Sequence, residues 1–236
     1  MAQKTLFQII TQTAAELNLP QPVNVIASQD QNVQKLLYLC RAVADDLLAE
    51  HDWQVLQTRY SFTTTTGVDT YAFPTDYERW ISGAFFDANN RWPMQGPKTA
   101  IEWEWLKASG SVSPPFTQYR IFGDKIVVAP VPGSSTYTFN AEYVSNAYCR
   151  SGAGVRKSDF TADDDTCLFD HRVMIYGVKL KMRESISQDT TSALSDYKRA
   201  LEQAKGSDAP ARNLNLLNSS EFRKIGIDNV PDGSWS

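Results

Sequence analysis

The sequence predicts an α+β fold, with helices at both ends of the chain and an antiparallel β-rich region between them. Three observations carry this. Apolar residues recur at spacings of three and four in the front segment and in the back half. From Trp53 onward the residues turn β-branched and aromatic. Tyr137, Phe139, Ala141 and Tyr143 alternate with Thr138, Asn140 and Glu142, the period of a strand with one buried face.

Taken in order, Leu6, Ile9, Ile10, Ala14 and Leu17 form the stripe of a first amphipathic helix, stopped by Asn18 and Pro20. Asp30 is positioned to cap a second helix that runs to about His51, with Val33, Leu36, Leu37, Cys40, Val43, Ala44, Leu47 and Leu48 on one face. In the next segment Leu56, Tyr60 and Phe62 share one parity while Trp53 and Val55 have the other, which a bulge or an early strand start would reconcile. Tyr71 and Phe73 fit a short strand ended by Pro74. The run Ile81 to Phe86 leads into a turn at Ala88-Asn89-Asn90, and Thr99 to Ala108 reads as a short helix, with strand as the alternative. Gly123-Asp124 is a two-residue connection of the type II′ class between Tyr119–Phe122 and Lys125–Ala129. Gly152 to Thr166 reads as a loop. A helix from about Leu168 to Ser187 follows, and then one capped by Asp189 and running to about Lys205. In that last helix Leu194, Tyr197, Leu201 and Ala204 face inward, and Gly206 takes the C′ position. This divides the chain into a helical domain (1–52 and 165–206), an inserted β-rich domain (53–164) and a C-terminal segment (207–236).

That last segment is rich in Asn, Ser, Asp, Gly and Pro, yet carries Leu214, Leu216, Leu217, Phe222, Ile225, Ile227, Val230 and Trp235. An inert solvated tail rarely holds so many apolar groups, so it reads as a docking tail that orders against a partner.

Composition excludes several classes. The chain has 236 residues, of which 42% are hydrophobic, enough for a core. No run of about 18 apolar residues is present, so no spanning helix is expected, and the first residues lack the continuous apolar stretch of a secretion signal. Cys40, Cys149 and Cys167 are odd in number and widely spaced, which fits free thiols in a reducing compartment. With 23 basic and 27 acidic residues the net charge is −4, against tight binding to nucleic-acid phosphate.

No catalytic constellation emerges. The two histidines, His51 beside Asp52 and His171 beside Asp170, lack an activated nucleophile, and a hydrolase built on Asp170 and His171 is the weakest reading. No phosphate-binding glycine loop or zinc-ligand spacing is present, so no cofactor and no metal are expected. Asp163-Asp164-Asp165 lacks the glycine and distal glutamate of a calcium loop, and reads instead as a solvated turn whose charge favours the start of the next helix. Trp80, Trp92, Trp103 and Trp105 offer stacking surfaces for a carbohydrate- or peptide-binding module, the alternative to a structural role, although core or interface packing suits tryptophan better. Arg150, Arg156 and Lys157, with Lys179, Lys181 and Arg183, suit a polar rim or ion pairs across subunits as readily as phosphate.

Three stretches resemble a known family. They are TLFQIITQTAAELNLP with AEHDWQVLQTRYSF, the turn YAFPTDYERW, and DHRVMIYGVKLKMRESISQDTTSALSDYKRALEQAK; the hairpin YRIFGDKIVVAPVP adds to them. Over Thr5 to Lys205 the chain resembles the head-to-tail adaptors of short-tailed bacteriophages, also called connectors, tail tubular protein A or gatekeepers. The resemblance implies a non-enzymatic virion protein at the head–tail junction, made in the host cytoplasm. It implies a homo-oligomeric ring of about twelve subunits below the portal protein, meeting a tail nozzle or other tail proteins. DNA would pass through without sequence-specific binding, and no membrane would be involved. On this reading Leu214, Leu216, Leu217, Phe222, Ile225, Ile227 and Trp235 form a portal-docking tail.

Overall fold

The computed structural model describes residues 3–108, 116–133 and 136–208. The fold is mixed α and β, with antiparallel sheets.

Helix α1 (Leu6–Glu16) begins at a capping box: Thr5 Oγ1 accepts the Gln8 N–H, and Gln8 Oε1 accepts the Thr5 N–H. Helix α2 (Gln31–Glu50) is capped by Asp30, whose carboxylate accepts the Asn32 N–H at 2.8 Å. Its expected stripe, Val33 to Leu48, is buried as a whole. A 3₁₀ turn at Gln54–Leu56 precedes strand β1 (Gln57–Thr63). This turn, rather than a bulge or an early strand start, changes the parity between Val55 and Leu56, because a helical turn rotates side chains out of the two-residue repeat.

Strands β2 (Thr70–Ala72), β3 (Tyr77–Trp80), β4 (Phe86–Asp87) and β5 (Trp92–Pro93) follow, then helix α3 (Ala100–Ala108). Next come β6 (Gln118–Phe122) and β7 (Lys125–Ala129), with Gly123 at φ +61° in the connection, as a II′ turn requires. Strand β8 (Thr138–Ser145) is the centre of the largest sheet. β1 pairs along one edge, and β3 and β4 share the other. β7 is central in a second sheet between β2 and β6. The expected loop after Gly152 holds short strands. β9 (Cys149–Arg150) lies between β10 (Arg156–Lys157) and β11 (Thr166–Cys167).

Helix α4 (His171–Ser185) starts three residues later than expected, because Asp170 caps it by accepting the Arg172 N–H. Helix α5 (Thr191–Asp208) has Asp189 on the Thr191 N–H, as expected, but runs through Gly206. Gly206 is therefore not a C′ glycine, and the first residues assigned to the tail are helical. Leu194 is 38% exposed; Ala193, Ala200 and Ala204 make the buried face, where small residues permit close approach to α4. At Gly177 of α4 a Cβ would come within 2.7 Å of Val43 Cγ1 and 3.2 Å of Tyr197 Cε2, so glycine lets α4 approach both α2 and α5.

Two apolar clusters result. The first joins the inner faces of α1, α2, α4 and α5 to Trp53, Leu56, Tyr148, Phe160 and Phe169. The second joins Phe62, Phe85, Met94, Tyr119, Ile126, Val128, Phe139 and Ala141. Strand β8 belongs to both, since Phe139 and Ala141 enter the second cluster and Val144 the first. Arg79 of β3 ties the regions together. Its guanidinium donates to Leu48 O and His51 O at the end of α2, both at 2.7 Å, and to Asp52 Oδ1 at 2.6 Å. It thus satisfies carbonyls that a helix end leaves without partners. All three cysteines are buried and free. No helix among the described residues is long and apolar enough to cross a membrane.

Candidate functional site

The acidic run 163–165 is not a solvated turn ahead of α4. Asp165 is wholly buried and accepts from Lys157 Nζ at 2.6 Å, Thr161 N at 2.7 Å and Ala162 N at 2.9 Å. Burial pushes its carboxyl up, but these hydrogen bonds and the Lys157 charge outweigh that and hold it below the usual range. Asp163 accepts the N–H groups of Val25 and Ile26, in the loop between α1 and α2. The carbonyls of Asp165 and Asp163 take the Leu6 and Phe7 N–H groups, at 2.7 and 3.1 Å. The run therefore closes the N-terminus of α1, the helix whose free amides it meets, rather than that of α4. No group of three or more His, Cys, Asp or Glu side chains able to hold a metal occurs among the described residues.

A second cluster lies where the chain leaves α5. Asp208 Oδ2 accepts the Gln54 N–H at 3.0 Å and lies 3.4 Å from His51 Nε2. One turn earlier Lys205 Nζ meets Glu50 Oε1 at 2.6 Å. The His51 ring packs edge-on against Trp53, whose indole N–H donates to Leu47 O at 2.6 Å. The end of α5 is thus fastened to the end of α2 and to the 3₁₀ turn. His171 lies near this place, 4.0 Å from Asp170, and burial lowers its pKa from the ordinary value. His51 thus joins the two helix ends, and His171 stands at the start of α4.

The tryptophans do not form one platform. Trp103 is buried and Trp105 is 75% exposed, because residues two apart on a helix point to opposite sides. Trp80 is half-buried among Tyr60, Phe73, Tyr77, Phe85 and Tyr143, while Trp92 lies 4.9 Å from Phe116 at the sheet edge. Outward-facing apolar groups occur instead at Val23, Tyr38, Ile101, Trp105 and Phe122.

The family model of SU10 adaptor proteins matches residues 4–216. The chain belongs to the SU10 adaptor protein family. Membership bears out the resemblance to phage head-to-tail adaptors drawn from the sequence. No curated protein matches the chain. The adaptor family match takes in Leu214 and Leu216 and stops short of Leu217, Phe222, Ile225, Ile227 and Trp235. All seven of these tail residues lie outside the described residues. Most of the basic residues singled out from the sequence bond within the adaptor subunit. Lys157 meets Asp165, Lys179 meets Glu16, Lys181 meets Asp46, and Arg156 donates to Val55 O. What sequence reasoning missed was Arg79 and Asp208, whose partners include backbone groups that leave no residue pattern.

Proposed function

We propose that this adaptor is the subunit of a head-to-tail ring that joins the phage portal to a short tail and forms part of the DNA channel. The family match over residues 4–216 carries the reading. For a helical domain (1–52 and 165–206) and an inserted β-rich domain (53–164), the support is that the second apolar cluster lies wholly within 53–164, while the first draws Trp53, Leu56, Val144, Tyr148 and Phe160 from that range onto the helices. Ring closure requires a heterologous interface, two different patches on each subunit. Exposed Tyr38 and Val23 on the helical side, and Ile101 and Trp105 on α3, are apolar groups suited to such contacts. A net charge of −4 suits a wall past which DNA slides without being held.

In this reading residues 207–236 dock on the portal through Leu214, Leu216, Leu217, Phe222, Ile225, Ile227 and Trp235. The test is a full-length chain carrying Phe222→Asp, Ile225→Asp and Ile227→Asp, sedimented with purified portal. Loss of co-sedimentation with an unchanged melting temperature is expected. Undiminished binding would remove the tail from the portal contact.

A further inference from the structure

We propose that a cavity at the root of the C-terminal segment seats that segment's first residues, with Leu214 against its apolar part and Arg212 against Asp208. The cavity has a volume of about 300 Å³. Trp53, Val55, Leu168, Phe169 and Ala204 make its apolar part, while Gln3, Asp170, His171, Ser207 and Asp208 complete the lining.

The occupant follows from where the chain goes. Ser207 and Asp208 line the cavity themselves, so residue 209 starts at its edge. A covalently attached segment has a high effective concentration there. Pro210 has no backbone N–H with which to extend a helix. Leu214 is the first large apolar residue after Asp208, and six residues reach up to about 20 Å, enough to double back. Charge agrees. Among the described residues the lining carries no Lys or Arg; its Asp170 is paired with Arg172, which leaves Asp208, met there only by the Gln54 N–H and His51, as the carboxylate for Arg212, the first charged residue after it. The contacts with Gln54 and His51 hold Asp208 in place. Burial of a leucine side chain supplies the driving force. This seat is that of the free chain and does not rest on portal docking; Leu214, also proposed as a portal anchor, leaves it when the tail docks.

The test is limited trypsin digestion of the full chain, followed by mass spectrometry. Cleavage after Arg212 is compared with cleavage after Arg223 in the same segment. Cleavage after Arg212 is expected to be on the order of tenfold slower, because it requires release from the cavity. Leu214→Asp should raise it to the Arg223 rate. Equal rates at both sites in the unaltered chain would overturn the proposal. A second arm oxidises a Gln3→Cys, Asn213→Cys variant, which keeps Arg212 and Leu214. A disulfide within one chain is expected. A disulfide between chains would assign the cavity to a second copy's tail, and no disulfide would leave it without this occupant; either result overturns the proposal.

Discussion

Asp165 and Lys157 form an ion pair of 2.6 Å in which the carboxylate is wholly buried and the ammonium largely so. The pair anchors the loop whose carbonyls close α1, so one side chain supports a helix start far away in sequence. Removing one partner of a buried pair strands the other. Asp165→Ala should cost about 3 kcal/mol in urea denaturation.

The same pair sets an acid limb. The folded Asp165 carboxyl lies below its ordinary value, so its stabilisation is complete above the unfolded value of about 4 and is lost as pH falls through the folded value. Stability should therefore fall in acid, and Asp165→Asn should shallow that slope. Some slope should persist, since hydrogen bonds from Ser145 and Tyr143 outweigh burial at Asp76 and hold its carboxyl low as well. An identical acid slope in Asp165→Asn would contradict this.

Gly177 permits the close approach of α4 to α2. Gly177→Ala gains up to about 1 kcal/mol of helix propensity but forces a methyl group onto Val43, an overpacking cost of about 1–3 kcal/mol. Net destabilisation is expected. Val43→Ala in the same chain should offset part of the loss, and a double-mutant cycle measures that coupling.

Arg79 binds two carbonyls and a carboxylate at the end of α2. Arg79→Ala should cost about 2 kcal/mol and speed hydrogen exchange in the last turn of α2. Arg79→Lys should recover little, because an ammonium lacks the planar fork that serves three acceptors.

Burial pushes the Cys149 and Cys167 thiols up to about 12 and raises Cys40 as well. A water-soluble thiol reagent at pH 8 should therefore leave the native chain unlabelled on the timescale that labels all three cysteines in urea. Prompt labelling of the native chain would contradict the packing around them.

Much of this architecture is written locally. The α2 stripe, the Asp30 and Asp189 caps, the Gly123-Asp124 turn and the β8 alternation each depend on neighbours within a few residues, and each is legible in the sequence. What was not legible depends on distant partners. Asp163 reads as a solvent-facing acid until it meets the Val25 and Ile26 amides, 138 and 137 residues away. Gly206 has the residue type of a helix stop, yet α5 continues because Lys205 and Asp208 are held by Glu50, His51 and Gln54. Ala193 replaces Leu194 on the inner face because the approach to α4 favours a small side chain.

The most direct measurement of the proposed role is electron microscopy, with native mass spectrometry, of the full chain mixed with its portal. A closed ring of identical subunits, coaxial with the portal and open at its centre, is expected. A chain that stays monomeric beside the portal, at concentrations where the portal itself is assembled, would contradict it.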